Sequence, residues 1–146
     1  MKHFKILYVF LFLLSLSCCS VLSDFYIQNL TNESQLIIIK YKFNIKSQLE
    51  NDSSGGFSFN YKNAIANPKE FRNNKNLPEL NKTVINGYQI EVILSPSSTT
   101  RVEKTLNYNW RNWSIDFIKL GNKEIKIEDI QSHSIKDKND YIYKIE

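Results

Sequence analysis

The sequence predicts an all-β fold, an antiparallel β-sandwich of about eight short strands, with a small β-barrel as the alternative. Three observations lead to this prediction. Apolar residues recur at every second position in most ordered segments, no segment keeps the 3.6-residue period of a helix, and turn-forming residues separate the segments at short intervals. A chain of 146 residues with 42% hydrophobic residues can bury one core, so we expect a single domain.

The first two strands are predicted at 25–30 and 37–45. In the second strand every other residue from Ile37 to Ile45 is apolar, while the positions between are mostly lysine and asparagine. This alternation is typical of a strand with one buried face. Turn residues at 31–34 favour an antiparallel hairpin between the two strands. A polar loop is predicted at 47–56, and a third strand at 57–62.

Residues 63–82 show no period and form the longest irregular connection that we predict. Within them, Asn67 followed by Pro68 favours one helical turn that runs through Phe71. A strand is predicted at 88–94, and Gly87 just before it is typical of a bulge. A turn at 95–98 follows this strand.

Four further strands are predicted in the C-terminal part. The first covers 102–108, where Lys104 interrupts the apolar alternation, and the second begins at 115–117. Gly121 and Asn122 then favour a two-residue hairpin to a strand that contains Ile125 and Ile127. The last predicted strand covers 141–145.

Two stretches resemble the strand and turn chemistry of many immunoglobulin-like exported domains. They are Phe25-x-Ile27-x-Asn29-x-Thr31 and Val92-x-Leu94-x-Pro96-x-Ser98-x-Thr100. The resemblance covers only strands and turns and points to no particular family. It implies that the predicted sandwich is of the immunoglobulin-like kind.

The first 23 residues have the features of a secretory signal. Lys2 and Lys5 give a basic start, and an apolar run over 6–16 follows. This run is shorter than the roughly 20 apolar residues that a transmembrane helix needs. We therefore expect residues 1–23 to be a signal peptide and residues 24–146 to form the domain.

The end of this segment resembles the lipobox of bacterial lipoproteins, in which small residues precede a cysteine that is acylated. The two residues before Cys18 fit the pattern, Ser15 departs from it, and Cys19 is the alternative acceptor. Both cysteines of the chain lie here, so the domain has no thiol for a disulfide. The resemblance implies a lipid-anchored protein of the cell envelope. The alternative is an ordinary signal cut after Ser23, which would give a secreted soluble protein.

The charge distribution argues against nucleic acid as a partner. Without Lys2 and Lys5, 17 basic and 15 acidic side chains remain, and lysines alternate with acids at 123–129 instead of forming a basic stripe. We expect the partners to be the membrane, through the N-terminal lipid, and a protein or glycan ligand.

Candidate catalytic groups are few. His133 is the one histidine of the predicted domain, and its polar surroundings predict a solvated loop residue. The carboxylates at 128–129, 137 and 140 lack the order of a calcium loop. We therefore predict a non-enzymatic binding or structural module without cofactor or metal. A secreted hydrolase that uses His133 or a carboxylate pair is the alternative.

Both tryptophans lie within residues 107–113, beside Arg111 and several asparagines. Rings, a guanidinium and amides are typical of a sugar or peptide site, although tryptophans at a strand connection also close the cores of sandwiches. In an extended segment Trp113 shares the parity of Ile115 and is predicted to be buried. This leaves Trp110 and Arg111 as the candidate ligand contacts.

Overall fold

The computed structural model describes residues 21–52, 55–74, 76–106 and 114–146. Within these ranges the chain forms ten strands and three short helices. In chain order they are β1 (Leu22–Asn29), β2 (Gln35–Tyr41), α1 (Lys46–Glu50), β3 (Tyr61–Lys62), α2 (Pro68–Asn73), β4 (Lys82–Asn86), β5 (Gln89–Leu94), β6 (Ser98–Leu106), β7 (Ile115–Leu120), β8 (Lys123–Lys126), α3 (Ile127–His133), β9 (Ile135–Asp137) and β10 (Asp140–Ile145).

The described strands form two five-stranded sheets. Sheet A has the order β3-β6-β1-β10-β9, and sheet B has the order β4-β5-β2-β7-β8. Among the described strand pairs, β1 with β10 is parallel and the others are antiparallel. The predicted β-sandwich is confirmed, and the sheets do not close into the alternative barrel.

The main core lies between the two sheets. Ile37, Ile39 and Tyr41 of β2 point into it, as the alternation of this strand predicted, and Phe25 and Ile27 of β1 belong to the same cluster. Each of these side chains is almost fully buried. Burial of apolar area on this scale is the main force that holds the two sheets together.

The hairpin predicted between the first two strands is wrong. β1 pairs with β6 and β10 in sheet A, whereas β2 pairs with β5 and β7 in sheet B. Residues of β1 from Ser23 to Asn29 are buried on both faces, so this strand needs a partner on each side and cover above and below. The turn at 31–34 therefore carries the chain from one sheet to the other.

Two strands of the described part, β4 and β9, were not predicted. All five residues of β4 are exposed because the strand lies at the edge of sheet B, and β9 has only three residues. Neither strand can show the alternation of buried and exposed positions on which the sequence prediction depends.

A smaller cluster, which we call the outer cluster, packs on the other face of sheet A. It consists of Tyr26, Ala66, Phe71 and Ile142. The rings of Tyr26 and Phe71 meet edge to face with centroids 5.0 Å apart. Phe71 belongs to α2, which begins with a capping box between Asn67 and Glu70 and has Pro68 in its first turn. The helical turn predicted at this place is confirmed.

We expect Phe71→Ala to lower the free energy of unfolding by about 3 kcal/mol, because it removes the ring that covers Tyr26 and leaves a cavity. Phe43→Ala is the matched control, since Phe43 is 42% exposed and should contribute far less. Denaturant midpoints of both variants measure the effect. A loss for Phe71→Ala no larger than that for Phe43→Ala would contradict the prediction.

Two segments predicted as loop or strand form helices instead. α1 lies in the predicted polar loop, where Leu49 donates its backbone N–H to Ile45 and packs against the core. α3 buries Ile127 and Ile130, which are three residues apart and so share one face of a helix. Both helices are too short for a helical period to be seen in the sequence. Among the described residues, none of the helices has the length and apolar character needed to cross a membrane.

Candidate functional site

A cleft of about 410 Å³ lies between α1, the turn that follows it and the strands β2, β6 and β7. Its walls combine aromatic side chains with carboxylates, amides and hydroxyls. The residues that line it are Tyr41, Phe43, Ser47, Gln48, Asn51, Asp52, Gly56, Phe57, Val102, Glu103, Lys104 and Ser114. A volume of this size falls within the range of roughly 300–1,000 Å³ that is usual for small-molecule sites.

Glu103 reaches this cleft because of a bulge in β6. Arg101 lies opposite Tyr26 and Glu103 lies opposite Phe25, so Val102 is the extra residue of β6. Phe25 and Val102 both belong to the main core. The shift in register therefore places Glu103 on the core-facing side of sheet A, together with Val102.

The carboxyl group of Glu103 is only partly satisfied. Its Oε1 accepts a hydrogen bond from the hydroxyl of Ser114. Its Oε2 is buried and has no hydrogen-bond partner among the described residues. Burial raises the pKa of Glu103 to about 7, against the opposing effects of Ser114 and the charge of Lys42. At neutral pH the Glu103 carboxyl is therefore protonated in only part of the molecules. In the ionised form its Oε2 can accept one more hydrogen bond.

Asp52 is the second carboxylate of the cleft, and it shapes the backbone. Its two oxygens accept the N–H groups of Gly56 at 2.8 Å and Phe57 at 2.7 Å. Gly55 takes a positive φ of 68° within this turn. Because both oxygens bind backbone N–H groups, Asp52 holds this turn in place.

Aromatic side chains form the apolar part of the cleft. Tyr41 and Phe57 pack edge to face with centroids 5.5 Å apart. Burial and the nearby charge of Glu103 both raise the pKa of Tyr41 well above its ordinary value, so this phenol stays neutral. Phe43 is exposed at the cleft. These rings offer an apolar surface beside the polar groups.

A second polar cluster lies on the outer face of sheet A. Asp140 is held by Arg72 through contacts of 2.5 and 2.6 Å and accepts the N–H of Asp24 at 2.9 Å. The carboxylate of Asp24 accepts a hydrogen bond from Tyr26 and lies 3.6 Å from Arg101. Burial raises the pKa of Asp140 although Arg72 opposes the effect. Each carboxylate here faces an arginine, so the cluster serves to hold β1, β6, β10 and α2 together.

His133 is not part of the cleft. It is exposed in the last turn of α3, which corrects the prediction of a loop at 131–134. Its Nδ1 lies 2.8 Å from the carbonyl oxygen of Asp129 and 2.9 Å from the hydroxyl of Ser132. These neighbours belong to the same helix and do not form a nucleophile and base pair around a cleft.

The acidic residues at 128–129, 137 and 140, which the sequence offered as carboxylate pairs, do not line the cleft either. Glu128 and Asp129 lie in the first turn of α3, where they complement the positive end of the helix dipole. Asp137 is the strand partner of Asp140, which binds Arg72. Within the described ranges, no group of three or more histidine, cysteine, aspartate or glutamate side chains could hold a metal ion.

Four of the predicted site residues lie outside the described residues: Cys18, Cys19, Trp110 and Arg111. Glu103 was not predicted as a site residue, because strict alternation along β6 places it on the same outer face of sheet A as Arg101. No protein-family model, curated protein or solved structure matches the chain, so the site is interpreted from its chemistry.

Proposed function

We propose that this protein is exported and anchored in a bacterial cell envelope by lipid on Cys18, with Cys19 as the second choice, and that its sandwich is a non-enzymatic binding module. The cleft around Glu103 carries the binding part of the proposal. A buried carboxyl oxygen without a partner costs stability, and a ligand that donates a hydrogen bond would remove that cost.

The start of β1 supports processing before a cysteine. β1 begins at Leu22, and Ser23 is buried. The hydroxyl of Ser23 donates a hydrogen bond to the carbonyl of Asn139, and its own carbonyl accepts one from Thr105 at 2.6 Å. A cut after Ser23 would remove these contacts from the folded domain. A cut before Cys18 or Cys19 would keep them.

Labelling with a radioactive fatty acid in a bacterial host tests the anchor. We expect label in the wild-type protein and its loss in Cys18→Ala, with Cys19→Ala as the matched control. Loss in Cys19→Ala alone would move the acceptor to the second cysteine. An unlabelled wild-type protein would overturn the lipid anchor and favour the secreted soluble form.

A hydrolase is the second candidate function, and the raised pKa of Glu103 is the observation that favours it, since a general acid works best with a pKa near the operating pH. We nevertheless favour the binding module, because His133 contacts only residues of its own helix among the described residues and Asp52 binds backbone N–H groups. Turnover of generic ester, glycoside or peptide substrates that is lost in Glu103→Gln or His133→Ala would reverse this choice.

Trp110 and Arg111 stay predicted ligand contacts. The nearest residues along the chain that line the cleft are Lys104 on one side and Ser114 on the other. The tryptophan segment therefore connects two strands whose ends border the cleft.

A further inference from the structure

We propose that the cleft binds one neutral sugar ring, which donates a hydroxyl hydrogen bond to Oε2 of Glu103 and lays its apolar face against the aromatic side chains. The inference rests on the proposed binding function and names the class of ligand.

The polar groups that remain free match the hydroxyls of a sugar. Oε2 of Glu103 is buried and can only accept while the carboxyl is ionised. Ser47 and Gln48 also line the cleft, their side chains are exposed, and both can donate as well as accept hydrogen bonds. A ligand that offers several adjacent hydroxyls satisfies such a mixed set, because each hydroxyl can also donate or accept.

The charges around Glu103 favour a neutral ligand. The cleft is lined by Asp52 and Glu103, whereas Lys104, the strand partner of Asp24, lines both this cleft and the pocket on the outer face of sheet A. The charge of Lys42 also acts on Glu103 and lowers its pKa. The carboxylate of Asp52 is already bound by two backbone N–H groups, and that of Glu103 lies near the charge of Lys42, so these acids favour a neutral hydrogen-bond donor over a cation.

The aromatic side chains supply the other half of sugar recognition. Phe43 is exposed, and Phe57 is half-buried with its ring against Tyr41. An aromatic face can pack against the C–H groups of a sugar ring with little loss of conformational entropy, because few bonds of the ring side chain rotate. The cleft therefore presents rings and free hydrogen-bonding groups to the same ligand.

The size of the cleft separates a sugar from a protein ligand. A stable protein interface buries roughly 800 Å² on each partner over a broad patch. The site here is instead concave, with a volume of about 410 Å³ and its unpaired acceptor buried inside. A buried acceptor in a small cavity is reached by a small ring and not by a broad protein surface.

Ligand-observed NMR with the full processed chain tests the inference. The protein is held in a zwitterionic detergent without a sugar headgroup, and the probes are glucose, galactose, mannose and N-acetylglucosamine, each titrated separately. We expect saturable binding of at least one of these sugars at pH 8. Glu103→Gln should weaken this binding at least about tenfold, because the charge-assisted bond is lost while the oxygen that Ser114 contacts is retained.

Glu124→Gln on β8 is the matched control, since its side chain is exposed and does not line the cleft. Glu124→Gln should bind the sugar with the same affinity as the wild-type protein. The inference is overturned if none of the four sugars binds saturably, or if Glu103→Gln binds as well as the wild type. Short neutral peptides form a second arm. Peptide binding that depends on Glu103, without sugar binding, would overturn the sugar assignment and leave the binding module standing.

Discussion

Replacing Glu103 by glutamine should raise the free energy of unfolding by about 2 kcal/mol at pH 8 and leave it unchanged at pH 4. The pKa of Glu103 is raised from its ordinary value of 4.5 to about 7 by burial. The folded protein therefore keeps a proton between these two values that the unfolded chain has already released. The contribution of Glu103 to the free energy of unfolding is fully present below pH 4.5, where the carboxyl is protonated in both states. This contribution is lost as the pH rises through 7, because the buried carboxyl must then ionise.

The expected size follows from the shift and from the exposure of the residue. Each pKa unit corresponds to about 1.4 kcal/mol, and Glu103 is only half-buried as a whole residue, so solvent screening reduces the full value. Glutamine is neutral at every pH and its oxygen can still accept the hydrogen bond of Ser114. The stability cost is consistent with a binding group that is kept ionisable for a ligand.

Denaturant unfolding of both proteins from pH 4 to pH 9 measures this effect. The difference between wild type and variant cancels the other titrating groups, and Glu124→Gln should show no such pH-dependent difference. If the gain from Glu103→Gln were the same at pH 4 and pH 8, the buried carboxyl would not be the cause.

Arg72→Met should lower the free energy of unfolding by about 3 kcal/mol at pH 7. The side chain of Asp140 is 2% exposed, and Arg72 binds both of its oxygens. Without the guanidinium, Asp140 keeps the N–H of Asp24 but lies uncompensated beside the Asp24 carboxylate. Arg72 itself is 34% exposed, which places the expected loss at the lower end of the range for broken buried pairs.

Lys62→Met is a matched control, because Lys62 of β3 forms an ion pair with a residue of the same helix, α2. Lys62 pairs with Glu70 of α2, but the two side chains are 28% and 44% exposed, so solvent screens this pair and we expect a clearly smaller loss than for Arg72→Met. The loss in Arg72→Met should also grow between pH 5 and pH 8, because removal of the arginine raises the pKa of Asp140 further. Equal losses for the two variants would show that burial of Asp140 does not govern the energetics of this contact.

Local patterns in the sequence predicted several elements correctly. The alternation from Ile37 to Tyr41 predicted β2 and its buried face. Gly121 and Asn122 form the two-residue hairpin between β7 and β8 that was predicted, and Gly121 takes a positive φ of 57° in it. Asn67 and Pro68 start α2. Each of these elements depends on neighbours in the chain, so the physical cause lies within a few residues.

The two stretches that resemble immunoglobulin-like domains meet in the structure. The side chain of Asn29 donates a hydrogen bond to the carbonyl of Ser95 at 2.9 Å, and the N–H of Ser97 donates to the carbonyl of Thr31 at 3.1 Å. The turn chemistry of both stretches is visible in their residues, but the contact between them is not. Such contacts depend on which strands pair across the sheet.

The sequence alone determined that this protein is a β-sandwich with one alternating core strand, a tight hairpin between β7 and β8 and a capped helical turn, because these features follow from side-chain period and turn chemistry. Tertiary structure decided which sheet each strand joined and which side chains entered the cleft. Strict alternation along β6 would place Glu103 on the outer face of sheet A. The pairing of β6 with β1 creates the bulge at Val102, and this bulge turns Glu103 towards the core side. Strand pairing joins residues far apart in the chain, so the local pattern around Glu103 could not reveal the site.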